Sequence, residues 1–96
     1  MARRRFLITG GSQGIGAATV ALARRAGHHV VFTGRDEELI GQVARETGAD
    51  GLRLDVSSAA DNASVVEACQ ARMGGIDVLV NNAAFGYAAE IGEIDV

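Results

Sequence analysis

Apolar residues fall in short runs punctuated by glycine, and the runs alternate between two periodicities. Arg5–Thr9, RFLIT, is too short for a helix and ends at glycine, so it reads as a buried strand. Gly14–Ala26 reads as a helix, with Ile15, Ala18, Leu22 and Ala26 near one face and Gly27 closing it. His29–Thr33, HVVFT, is β-branched and aromatic and predicts a second strand. Asp36–Thr47 predicts a second helix, acidic at its start, periodic through Leu39, Ile40 and Val43, and ended by Gly48. Gly51–Val56, GLRLDV, alternates as a strand does. Ser57 or Ser58 can cap a third helix running to about Met73, with Val65, Val66, Cys69 and Met73 inward, before Gly74-Gly75 stops it. Ile76–Asn81, IDVLVN, predicts a fourth strand, and Ala88–Val96 carries no clear pattern.

Strands alternating with helices over short loops imply an α/β fold with a parallel sheet. Right-handed crossovers place the first two helices on one face. In a dinucleotide-binding sheet the strand order would be 3-2-1-4, with the third helix on the opposite face. No repeat, linker or low-complexity segment interrupts the pattern.

Composition narrows the setting. A chain of 96 residues suits one domain or less, and 48% apolar with 22% charged residues suits a soluble globular protein. The net charge of −3 does not suggest a nucleic-acid-binding surface. Arg3-Arg4-Arg5 precedes only Phe6-Leu7-Ile8, too few apolar residues for a signal peptide, so it reads as a solvated arm. No apolar run approaches the ~18 residues of a membrane span. The single cysteine, Cys69, has no internal disulfide partner and reads as a small core residue. A reducing cytosol is therefore the expected compartment.

The glycines between strand one and helix one carry the first chemical signal. Backbone N–H groups at a helix N-terminus hold phosphate, helped by the helix dipole. Gly10, Gly14 and Gly16 would shape the tight turn, admit a pyrophosphate and let the helix approach the strand. The alternative gives them turn and packing roles alone. A P-loop is excluded, because no lysine follows the glycines.

TGGSQGIG at Thr9–Gly16 resembles the TGxxxGIG signature of the short-chain dehydrogenase/reductase family. LDVS at Leu54–Ser57 is similar to that family's adenine-pocket segment, and NNAA at Asn81–Ala84 to its NNAG motif, with Ala84 where glycine is usual. The resemblance covers Arg5 to about Gly86 and implies a Rossmann-like, doubly wound α/β domain binding NAD(H) or NADP(H). It implies that Ser12 and Ile15 line the ribose and pyrophosphate, that Asp55 and Val56 hold the adenine, and that Asn81, Asn82 and Ala83 border the adenosine-side ribose. Apart from the family, Asp55 sits at a strand's carboxyl end beside the switch point, where it can accept a hydrogen bond from an adenine amino group. It could equally cap a turn or helix there. Asp77, at the opposite end of strand four, reads as structural.

The end of strand two separates the two cofactors. NAD-binding sheets usually carry an acidic residue there, bonding the ribose 2′-hydroxyl. Here Gly34 stands at that position and Arg35 follows. A guanidinium suits a phosphate dianion, so NADP(H) is the preferred cofactor, with NAD(H) left open. The alternative makes Arg35 a solvated loop residue or a partner of Asp36 or Glu37.

Enzymes of the resembled family use serine, tyrosine and lysine, the last two in YxxxK. The chain contains no lysine, and its one tyrosine, Tyr87, is followed four residues later by Ile91. Tyr87 therefore reads as a pocket-wall or core residue, no catalytic residue is assigned, and the 96 residues alone are expected to be inactive. The favoured reading is the N-terminal portion of a dehydrogenase, a homo-oligomer when complete, whose remaining half or another chain covers strand four. A non-catalytic dinucleotide-binding or sensing module is the alternative. A methyltransferase-like protein is disfavoured, because its cofactor's ribose would want an acidic residue where Gly34-Arg35 stand.

Overall fold

Four strands and three helices alternate among the residues that the computed structural model describes, 2–54 and 59–82. They are β1 (Arg5–Thr9), α1 (Gly14–Arg25), β2 (His29–Gly34), α2 (Glu37–Thr47), β3 (Asp50–Arg53), α3 (Ala59–Met73) and β4 (Val78–Asn81). Every strand pairing is parallel, and the sheet order is β3-β2-β1-β4. The order expected of a dinucleotide-binding sheet is the one observed.

The two faces of the sheet are buried by different helices. Ile8, Val30 and Phe32 meet Val20 and Ala23 of α1 and Ile40 and Val43 of α2. Leu7 and Val31, on the other face, meet Val65 and Cys69 of α3. Alternate residues of a strand point to opposite faces, so β1 and β2 must be apolar throughout to serve both layers. Burial raises the Cys69 thiol pKa, partly opposed by Arg72, which suits a core residue rather than a nucleophile.

Helix ends follow local chemistry. Asp36 caps α2 rather than opening it: its Oδ1 accepts from the N–H groups of Glu38 at 2.9 Å and Leu39 at 3.3 Å. Gly48 takes the left-handed conformation that ends α2, with φ of 81°.

Two helix faces differ from the sequence reading. Ile15 and Leu22 are 78% and 61% exposed, and Ala18 and Ala26 are exposed with them. The face that α1 buries is Gly16, Val20 and Ala23. Apolar residues ring this helix, so periodicity could not choose its inward side; the close contact at Gly16 sets the rotation instead. In α3, Val65 and Cys69 are buried but Val66 is 57% exposed. β3 runs from Asp50 to Arg53 and β4 starts at Val78, shorter than their alternating patterns. Ser57 and Ser58 lie outside the described residues.

Opposite the glycine turn, Arg5 ties β1 to the chain entering β4. Its guanidinium donates to Asp77 Oδ2 at 2.9 Å and Oδ1 at 2.8 Å, and its backbone N–H donates to Oδ2 at 2.8 Å. These bonds, side chain first and backbone second, hold the Asp77 carboxyl well below the usual carboxylate range. A depressed folded pKa contributes stability that is complete above the unfolded value near 4 and is lost as pH falls through the folded one. Asp77→Asn is therefore expected to lower the melting temperature at pH 7. The gap to the parent should narrow as pH drops below about 4, where the parent also loses the interaction. Thermal melts from pH 7 down to 2 check it; a gap that does not change with pH would contradict it.

Candidate functional site

The carboxyl ends of β1, β2 and β4 converge on the turn between β1 and α1, and three glycines there have three different reasons to be glycine. Gly10 has φ of 69°, which makes the tight turn off β1. Gly14 has φ of 60° and faces open space; a Cβ on it would meet nothing within 4 Å. Gly16 is the reverse case, since a Cβ there would run into the Gly10 carbonyl oxygen and lie 2.6 Å from Asn82 Nδ2. Turn, open approach and close helix packing are the three jobs such a glycine set performs.

α1 begins without a side-chain cap, at Gln13, and has no acidic residue in its first turn. The N–H groups of Gly14, Ile15 and Gly16 lack intrahelical partners by helix geometry. None of them has a partner among the described residues. The contrast with α2 is sharp: there Asp36 accepts from the first turn and Glu37 and Glu38 follow. The start of α1 thus offers free donors and the positive end of a helix dipole in an exposed turn, a setting for an anion.

Neighbouring strand ends hold the turn in place. Thr33 grips it from β2: its Oγ1 accepts from Gly10 N–H at 3.2 Å and its carbonyl from Gly11 N–H at 2.8 Å. From β4, Asn82 Nδ2 donates to the Gly10 carbonyl at 3.1 Å, and Asn82 N–H donates to Thr9 Oγ1 at 3.0 Å. The Thr9 hydroxyl donates to Asn81 Oδ1 at 3.1 Å. Both asparagines therefore fasten β4 to the glycine turn. Thr33 and Gly11 were not singled out from the sequence. A Cβ on Gly11 would lie 2.7 Å from Phe32 Cβ, so the second glycine of the pair packs on the core.

At the end of β2, Gly34 is a packing requirement as well as a vacancy. A Cβ on it would lie 2.6 Å from Ser12 Oγ and 2.9 Å from Ser12 Cβ. Ser12 is buried in that space, bridging the glycine turn and the end of β2. Arg35 follows, exposed, and its guanidinium pairs with none of the described residues, Asp36 and Glu37 included. Arg53, at the end of β3, donates through Nε to the Arg35 carbonyl at 3.1 Å.

Gly10, Ser12, Gly14, Ile15, Gly16, Arg35, Asn81 and Asn82 are thus all placed around the carboxyl ends of β1, β2 and β4. Asp55, Val56, Ala83, Ala84 and Tyr87 lie outside the described residues. Among those described, no cluster of three or more His, Cys, Asp or Glu side chains could hold a metal ion, and no helix is long and apolar enough to cross a membrane. An uncapped helix start, an opening at Gly14 and a guanidinium beyond β2, all without partners among the described residues, fit the pyrophosphate and ribose end of a dinucleotide.

Comparison with known proteins shows the family. The sequence profile of the short chain dehydrogenase family matches residues 4–96. A 3-beta-hydroxysteroid dehydrogenase from Comamonas testosteroni is 43% identical over 79 residues, covering 80% of this chain and 31% of that protein. A crystal structure described as ribose-5-phosphate isomerase from Brucella melitensis 16M superposes with a TM-score of 0.81 at 38% identity, over 88% of this chain and 33% of that one. L-sorbose reductase from Gluconobacter frateurii, complexed with NADPH and L-sorbose, superposes with a TM-score of 0.74 at 31% identity, over 91% of this chain and 35% of that one. The chain spans about a third of the length of the first curated relatives it matches.

Proposed function

We propose that this chain, which belongs to the short chain dehydrogenase family, forms the NADP(H)-binding part of an oxidoreductase acting between an alcohol and a ketone. The observation that carries this reading is the start of α1, uncapped and free of acidic residues, above a turn whose three glycines each have a separate geometric need. Gly14, Ile15 and Gly16 donate their N–H groups to the pyrophosphate, while Gly10 and Ser12 shape its approach. Arg35 takes the 2′-phosphate. Asp55 and Val56 hold the adenine, and Asn81, Asn82 and Ala83 border the adenosine-side ribose. When bound, the dinucleotide supplies the hydride exchanged with the alcohol or ketone carbon. The L-sorbose reductase structure, complexed with NADPH, supports the choice of cofactor.

These 96 residues hold the cofactor rather than perform the acid–base step, since they include no lysine and no YxxxK. The segment or second chain that supplies that step also covers β4, whose Leu79 is 60% exposed on the face opposite α1. The complete enzyme is a homo-oligomer in the cytosol, the compartment that a lone buried cysteine suits. The 96-residue polypeptide is expected to show no turnover with NADPH and a panel of ketones; robust turnover would contradict this division of labour.

Cofactor choice is tested through Arg35. A charge-assisted hydrogen bond to phosphate contributes about 1.5–3 kcal/mol, and exposure pulls the value toward the lower end. Arg35→Ala should weaken NADP(H) binding by roughly tenfold and leave NAD(H) nearly unchanged. Dissociation constants for both cofactors decide it: equal weakening of the two would remove Arg35 from the 2′-phosphate.

A further inference from the structure

Arg53 has no role in the reading above, yet the structure fixes it to the same corner. The parallel register pairs Arg53 with Gly34, and the next N–H, of Leu54, donates to the Gly34 carbonyl at 3.0 Å. Arg53 is exposed, and its Nε bond to the Arg35 carbonyl lays the guanidinium along the connection from β2 to α2. The remaining N–H groups of Arg53 have no partner among the described residues, and neither does the Arg35 guanidinium. Among the described residues no acid pairs with either arginine. Asp36 is engaged in capping α2, and Glu37 and Glu38 form no ion pair with either arginine. Asp50, at the far end of β3, lies beside His29 at 3.5 Å.

An arginine held by one N–H and free at the others is partly ordered before any ligand arrives, so less freedom is lost when the other N–H groups are used. Two guanidinium groups at one corner, with N–H groups that meet no partner among the described residues, suit a group that carries close to two negative charges and several acceptor oxygens, as a phosphate monoester does near neutral pH. We propose that Arg53 is the second cation of a 2′-phosphate clamp and, with Arg35, determines specificity for NADP(H). The inference rests on the dinucleotide reading of the site and adds a residue from a different strand.

The test uses 2′,5′-ADP, which carries the 2′-phosphate, and 5′-AMP, which lacks it. Their affinities are measured by NMR titration of the parent protein, Arg35→Ala, Arg53→Met and the double variant. Arg53→Met keeps an apolar stem, and thermal melts confirm that an exposed substitution leaves the fold intact. The parent should prefer 2′,5′-ADP. Arg53→Met should weaken 2′,5′-ADP by roughly fivefold and 5′-AMP by less than about twofold, and should do so again in the Arg35→Ala background. Arg53→Lys should retain most of the preference. Unchanged affinities, or equal loss for both ligands, would overturn the proposal. So would a loss seen only when Arg35 is present, because Arg53 would then merely position its neighbour. A parent that binds neither ligand, or that does not prefer 2′,5′-ADP, would instead overturn the NADP(H) reading itself, and this inference with it.

Discussion

Gly16→Ala is expected to destabilise the protein by about 3 kcal/mol, the upper end for overpacking, because the obstruction is backbone rather than a movable side chain. The added Cβ would collide with the Gly10 carbonyl and crowd Asn82 Nδ2, the atom that bonds that carbonyl. Helix and turn must separate, and the Asn82 tie from β4 breaks with them. For a chain of this length, the melting temperature should fall by roughly 12–24 °C. Gly14→Ala provides the contrast. Its Cβ would meet nothing, so its cost is the left-handed backbone, roughly 1–2 kcal/mol. The new methyl would stand in the open approach to the donors of α1. Gly16→Ala should therefore register mainly in thermal melts and Gly14→Ala mainly in cofactor affinity. Equal melting temperatures for the two variants would contradict the separate roles given to these glycines.

Phe32→Ala should have a comparable effect through the core. Phe32 is fully buried in β2, and two glycines bracket it. A Cβ on Gly11 would meet Phe32 Cβ at 2.7 Å, and a Cβ on Gly51 would meet Phe32 Cζ at 2.9 Å. Neither neighbour has a side chain that could swing into the space left behind. Truncation of a buried phenylalanine costs about 3–5 kcal/mol, set against a net stability on the order of 5–15 kcal/mol. Chemical denaturation should show the midpoint falling sharply with little change in slope. Because the void opens directly beneath Gly11, NADPH affinity should fall as well, even at temperatures where the variant is folded. A loss below about 1 kcal/mol would mean that the turn and sheet can collapse onto the site, contrary to the packing described.

The elements were legible in the sequence where a glycine ends them. Gly10 after β1 and Gly48 after α2 both have the positive φ that glycine permits. The parallel sheet followed from the alternation of elements, its order was the one a dinucleotide-binding sheet would have, and the glycine spacing pointed to the candidate site. What stayed hidden depended on contacts between distant positions. The inward face of α1 could not be read from GIGAATVALARR, where apolar residues fall on every side. Gly34 looked like the absence of an acid, and only the structure shows Ser12 filling the place of its Cβ. Arg53 drew no notice in the alternating segment GLRLDV; the β2–β3 register sets it beside Gly34. Val56 and Ala83 were assigned on resemblance, and Asp55 also on its place at a strand's carboxyl end; all three lie outside the described residues.

In the proposed function α1 receives the pyrophosphate and the end of β2 selects the 2′-phosphate. Backbone amide shifts of the isotope-labelled protein, followed during titration with NADPH and separately with NADH, test both halves in one measurement. Gly14, Ile15 and Gly16 should shift with either cofactor, Arg35 should shift strongly only with NADPH, and NADPH should bind at least about tenfold more tightly. Shifts confined to other parts of the chain, or NADH binding as tightly as NADPH, would contradict it.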